Sequence, residues 1–151
     1  MLTSLQVLRI RWYSRLQSLP EGLSGLPNLK RLEIRFCGSF RSLPKGGLPS
    51  SLVELYILSC NAIRSLPKGT LPSSLTELQI SDCSAFRSLP EERLPTSLKI
   101  LSIRGCPAIR SLHEGNLPSS LQMLYVRYSN EKLQRQCRKL QGTISIVNFQ
   151  D

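Results

Sequence analysis

The sequence predicts a mostly β solenoid: short parallel strands stacked rung on rung, an irregular proline-rich return side with little helix, and a C-terminal cap of one helix and one strand. Three observations lead there. Leu-Pro-Ser-Ser-Leu or a near copy begins at Leu48, Leu71, Leu94 and Leu117, and Cys37, Cys60, Cys83 and Cys106 keep the same period of 23. Each unit carries an L-x-x-L-x-I alternation, and the period is lost after Ser129. A unit this short cannot bury its apolar face alone and must stack on its neighbours.

The units begin at Leu5, Leu29, Leu52, Leu75, Leu98 and Leu121. The next two apolar slots hold Leu8 and Ile10, Leu32 and Ile34, Leu55 and Ile57, Leu78 and Ile80, Leu101 and Ile103, then Leu124 and Val126. Alternation of period two makes each stretch one strand with these residues inward. The cysteine slot follows, where a small, buriable side chain with a weak S–H donor suits an interior turn. Phe40, Ile63, Phe86 and Ile109, then Leu43, Leu66, Leu89 and Leu112, complete the core of each rung. Pro20, Pro44, Pro67 and Pro90, with Pro27, Pro49, Pro72, Pro95 and Pro118, remove backbone donors on the return path, which excludes a regular helix there. Residues 1–129 are thus expected to form six repeats.

Residues 130–151 read as the cap. Asn130 caps a helix over 130–141, Glu131 suits its first turn, Leu133, Cys137 and Leu140 share one face, and Gly142 stops it. Residues 143–149 then alternate as a last strand. At the other end Leu2, Leu5, Leu8 and Ile10 enter the first strand directly, so further protein is expected ahead of Met1, or a partner over the first rung.

At 151 residues the chain reads as one domain, and it has no apolar run approaching a membrane span and no secretory signal. Five cysteines, four of them in one repeat slot, fit buried thiols in a reducing compartment rather than a disulfide framework or a metal site. A net charge of +10 favours anionic partners without choosing among them. Part of that excess is a basic edge, Arg41, Arg64, Arg87 and Arg110, which reads either as a solvated or paired edge or as an anion-binding stripe. His113 replaces the proline of a Leu-Pro pair, and Glu91 and Glu92 fall in a loop. Neither has a nucleophile or second carboxylate at a useful spacing, so no catalytic residue is expected. No G-x-x-x-x-G-K-[ST] loop occurs, so no nucleotide cofactor is expected in this segment.

The third, fifth, seventh and eighth positions of each unit project from the concave sheet and vary between rungs. The candidate partner-binding residues among them are Arg9, Arg11, Trp12, Arg31, Glu33, Arg35, Phe36, Tyr56, Arg104, Tyr125, Arg127 and Tyr128. Aromatic residues and arginine are the types enriched at interface hot spots.

The consensus L-x-x-L-x-I-x-x-C-x-x-I/F-x-x-L-P resembles the leucine-rich repeat, which makes the expected fold an α/β-type leucine-rich-repeat solenoid, mostly β. Together with Leu-Pro-Ser-Ser-Leu and the terminal Cys137-Arg138-Lys139-Leu140-Gln141-Gly142, it resembles the C-terminal repeat domain of plant disease-resistance proteins of the coiled-coil, nucleotide-binding class. That resemblance implies a non-catalytic protein–protein interaction module of the cytoplasm or nucleus. It would recognise a pathogen effector or a modified host protein and restrain a switch domain, with ADP or ATP held only in the parent's nucleotide-binding domain. Nucleic acid is not the expected partner. Two alternatives stay open: a free-standing repeat scaffold or inhibitor of another intracellular protein, and a basic module binding nucleic acid or acidic lipid.

Overall fold

A computed structural model describes residues 3–90, 94–112, 115, 117–144 and 146–150. Leu2, Glu91, Glu92 and His113 lie outside the described residues. The chain forms one parallel sheet of β1 (Val7–Arg11), β2 (Arg31–Arg35), β3 (Glu54–Leu58), β4 (Glu77–Ser81), β5 (Ile100–Arg104), β6 (Met123–Arg127) and β7 (Ile146–Gln150), paired in chain order. A helix, α1 (Glu131–Leu140), precedes β7, and a short 3-10 helix at Glu21–Gly25 takes up the longer return path of the first unit. This is a leucine-rich-repeat solenoid of parallel strands with little helix.

Register follows the repeat without offset. Leu8, Leu32, Leu55, Leu78, Leu101, Leu124 and Val147 pair in one line, and Ile10, Ile34, Ile57, Ile80, Ile103, Val126 and Phe149 in the next. From β2 to β6 these leucines, isoleucines and Val126 are fully buried, each burial contributing roughly 1.5–3 kcal/mol. Leu8 and Ile10 of β1 are half-buried, because β1 pairs with β2 alone.

Two tight turns close each coil. In the first, Phe40, Phe86 and Ile109 N–H groups donate to the carbonyls of Cys37, Cys83 and Cys106 at 3.1, 3.1 and 3.2 Å. The cysteine thiol lies within reach of two carbonyls: Cys83 Sγ is 3.3 Å from Ser81 O and 3.7 Å from Ile57 O of the previous rung, and Cys60 and Cys106 repeat that geometry. In the second, Leu52, Leu75, Leu98 and Leu121 N–H groups donate to Pro49, Pro72, Pro95 and Pro118 O at 3.0–3.1 Å. The serine before the final leucine of each Leu-Pro-Ser/Thr-Ser-Leu copy then ties adjacent coils together. Ser51, Ser74, Ser97 and Ser120 Oγ donate to Leu29, Leu52, Leu75 and Leu98 O at 2.7, 2.6, 2.5 and 2.8 Å.

The C-terminal elements differ from the sequence reading at their bounds. Asn130 is extended (φ −72°, ψ 159°) and caps the helix by accepting from Leu133 N–H at 2.9 Å, and Gln141 is extended again, so α1 is one residue shorter at each end than 130–141. The last strand begins at Ile146 rather than at 143. Thr143 and Ile144 N–H groups both donate to Leu140 O, which holds the chain in a turn at φ 94° for Gly142 before it can extend. Leu133, Cys137 and Leu140 are buried, and β7 continues the sheet as a further parallel strand on β6.

Candidate protein-binding face

Along each strand the third, fifth and seventh residues alternate with the buried leucine and isoleucine, so they form the outer face of the sheet. Seven strands at about 4.8 Å make that face about 29 Å wide. The eighth residue behaves differently. Trp12, Phe36, Ser59, Asp82 and Tyr128 adopt left-handed backbone angles, φ 52–61°, and Gly105 has φ 60°. Each residue through Gly105 donates its N–H to the seventh residue's carbonyl on the next rung, for example Trp12 to Arg35 O at 3.1 Å and Phe36 to Leu58 O at 3.0 Å. That bond completes the strand pairing, and the left-handed turn then carries the chain off the sheet. Side chains of the eighth column therefore stand at the rim where the strands end, rather than on the sheet face as expected from sequence.

Trp12 and Phe36 stack at that rim, with ring centroids 4.1 Å apart and planes 7° from parallel. They remain 72% and 42% exposed, and Tyr13 beside them is exposed as well. At the far end Tyr128 is 54% exposed, with the Arg104 guanidinium 5.3 Å from its ring centroid.

The arginines divide into engaged and free. Arg9 sits directly opposite Glu33 in the β1–β2 register and bonds it at 2.5 Å, while Arg35 reaches the other Glu33 oxygen at 2.6 Å. Glu33 is only 2% exposed, so its role is internal: it pins two arginines of the face and is not itself offered to a partner. Burial pushes its carboxyl up, and the hydrogen bonds from Arg9 and Arg35 outweigh that, leaving its pKa below the ordinary value. Arg31 likewise bonds Glu54, its register partner, at 2.5 Å, and lies 5.1 Å from the Tyr56 ring centroid. Desolvation, with Glu77 and Glu54 close by, pushes the Tyr56 hydroxyl up to about 12. Arg11 and Arg104 are exposed, and among the described residues neither has an ion pair. The Nε atoms of Arg35 and Arg127 are buried without a hydrogen-bond partner.

The solved leucine-rich repeat domain of the type III effector XopL is similar to this chain at 18% identity and a TM-score of 0.36, over 95% of this chain and 76% of that one. No protein-family model and no curated protein matches the sequence. The repeat architecture stands on the strand register and the two turns of each coil.

On that architecture the candidate residues form two clusters at opposite ends of the sheet. Arg9, Arg11, Trp12, Arg31, Glu33, Arg35 and Phe36 gather on β1 and β2. Arg104, Tyr125, Arg127 and Tyr128 gather on β5 and β6, and Tyr56 lies between. The middle carries Glu54, Glu77 and Asp82, acidic residues that the candidate set omits. Their signal was available in the same variable columns, but only the register shows that Glu54 answers Arg31. The basic edge is where the repeat puts it: Arg41, Arg64, Arg87 and Arg110 are all exposed on the return side, away from the sheet face. Among the described residues, no three His, Cys, Asp or Glu side chains come together as a metal site, and no helix is long and apolar enough to cross a membrane.

Proposed function

We propose that this chain is a protein-interaction module that binds its partner on the concave face and strand-end rim, anchored at the β1–β2 end. The observation that carries this is the exposed Trp12–Phe36 stack beside the unpaired Arg11. Two large rings held parallel have already lost the freedom that binding would otherwise cost, and aromatic and arginine anchors dominate interface energetics.

The finer reading rests on the resemblance of the repeat consensus and of Cys137–Gly142. It makes the chain the repeat region of a plant intracellular immune receptor in the cytoplasm or nucleus. There it recognises a pathogen effector or a modified host protein and restrains a nucleotide-binding switch domain. Such a ligand moves the switch only by preferring one of its states.

The test compares capture from plant cell extract by the wild type and by Trp12→Ala/Arg11→Ala, both checked by circular dichroism to be fully folded at the assay temperature. Arg35 is unsuitable for this purpose, because it holds the buried Glu33. A protein retained by the wild type and lost from the variant is expected; identical captures would overturn the concave-face assignment. For the finer reading, a nucleotide-binding domain encoded upstream in the same transcript is the expected finding, and a transcript lacking one assigns a free-standing scaffold.

A further inference from the structure

Arg41, Arg64, Arg87 and Arg110 occupy one repeat position, one residue before a serine in each of four consecutive units. Their rungs are paired strand on strand through β2, β3, β4 and β5. On the return side, backbone pairing ties Arg64 directly to Arg87: Arg87 N–H donates to Arg64 O at 2.8 Å beside the parallel Ser65–Ser88 bridge, while Arg41 N–H donates to Gln17 O of the rung before it, also at 2.8 Å. The four arginines therefore stand on successive rungs, which the sheet spaces at about 4.8 Å, and the Arg64–Arg87 pair keeps that spacing on the return side. All four are exposed, and among the described residues none has an ion pair. A shallow depression between Arg41 and Arg64 is floored by Asn61, Ala62, Ser65 and Ala85, so small side chains leave the arginine forks room to engage a ligand from outside. Like charges stacked this closely repel one another, and an anionic ligand would relieve that repulsion.

We infer that this edge is a second docking site, separate from the concave face, and that it takes an acidic stripe on an α-helix of a partner protein. The choice of a helix follows from pitch. A helix presents a carboxylate at every turn, at i, i+4, i+7 and i+11, about 5.4 Å apart along its axis. At the rung spacing, helix and edge drift apart by only about 2 Å over three intervals, which an arginine side chain absorbs. An extended peptide repeats its same-face side chains roughly every 6.6 Å and drifts by more than 5 Å over the same length. Single-stranded nucleic acid fits less well for another reason. Grooves that bind it add aromatic platforms for the bases, whereas Phe86 and Ile63 beside these arginines are fully buried and the accessible neighbours of Arg64 and Arg87 are asparagine, serine and alanine.

The test is direct titration, by fluorescence anisotropy, of a labelled alanine-based helical peptide carrying glutamate at i, i+4, i+7 and i+11. A scrambled peptide of equal charge and a labelled single-stranded oligonucleotide serve as competitors. For the intact chain the patterned peptide is expected to bind at least fivefold more tightly than the scrambled one, with affinity falling as salt rises. The fourfold Arg→Gln variant (Arg41, Arg64, Arg87, Arg110) is expected to lose at least tenfold, while Trp12→Ala/Arg11→Ala leaves this binding unchanged. Circular dichroism melting confirms that both variants are folded. Arg64→Gln/Arg87→Gln, expected to lose at least threefold, replaces the fourfold variant should that one fail to fold. Equal affinity for the scrambled peptide, tighter binding of the oligonucleotide, or no loss in the arginine variants would overturn the proposal.

Discussion

Trp12 and Phe36 lie 24 residues apart in sequence, yet their rings meet at 4.1 Å and within 7° of parallel, because both occupy the eighth position of adjacent rungs. Each pays for a left-handed backbone angle there. Trp12 is the single tryptophan, so its emission reports this rim alone. Phe36→Ala is expected to increase acrylamide quenching of Trp12 and to lower stability by about 0.5–1.5 kcal/mol, the range for an aromatic pair. Unchanged quenching and an unchanged urea midpoint would show that the rings do not pack in solution.

Glu33→Gln tests the other half of the face. The substitution keeps the shape but removes the charge that Arg9 and Arg35 share, and with both arginines partly exposed the cost at pH 7 is expected to be about 1–2 kcal/mol. The acid dependence has a definite sign. A carboxyl whose pKa is lowered by folding stabilises the native state above its ordinary value of 4.5, and that contribution disappears as pH falls through the folded value. Wild type is therefore expected to lose more stability than Glu33→Gln as pH falls below about 4.5. Parallel stability–pH curves would remove the assignment.

Most of the scaffold was legible because it depends on single residues in a fixed period. The leucine and isoleucine columns, the cysteine slot and the asparagine cap each announce their environment locally. What the sequence concealed depends on neighbouring rungs. Glu33 sits in a variable column like any surface residue, and only the in-register arrival of Arg9, with Arg35 two residues along the same strand, turns it into a buried anchor. The eighth column reads as sheet face only while the backbone is taken to stay extended past the seventh residue. Asp82 and Gly105 in the same column were the available hint, since asparagine, aspartate and glycine are the usual occupants of left-handed turns. Gly105 is further constrained: a Cβ there would overlap Asp82 Oδ1.

The Leu-Pro-Ser-Ser-Leu copies contain two hydroxyl residues, and the structure gives them unequal roles. Ser74 bonds Leu52 O across the rungs, whereas Ser73 is exposed. Ser74→Ala is expected to cost about 1 kcal/mol, because Leu52 O loses a donor, and Ser73→Ala to stay within about 0.5 kcal/mol of wild type. Urea denaturation of the two variants separates them. Equal effects would mean that the serines serve the turn itself rather than the contact between coils.

The cysteine column supplies a test at the opposite end of the pH scale. Burial pushes the Cys83 thiol up to about 12 and those of Cys106 and Cys137 up to about 11. These thiols stay protonated in the native state while those of the unfolded chain ionise near 9. A raised pKa of this kind leaves stability intact below the unfolded value and removes it as pH rises towards the folded one, by at most about 1.4 kcal/mol per pH unit for each thiol. Stability is thus expected to fall between pH 9 and 11, and the fall to be shallower in Cys83→Ala, which is itself less stable at pH 7 through its lost packing and S–H contacts. Thiol-reactive dye at pH 8 is expected to label the native chain slowly and all five cysteines at once in denaturant. Rapid labelling of the folded chain, or an unchanged slope in Cys83→Ala, would show that the column is open to solvent.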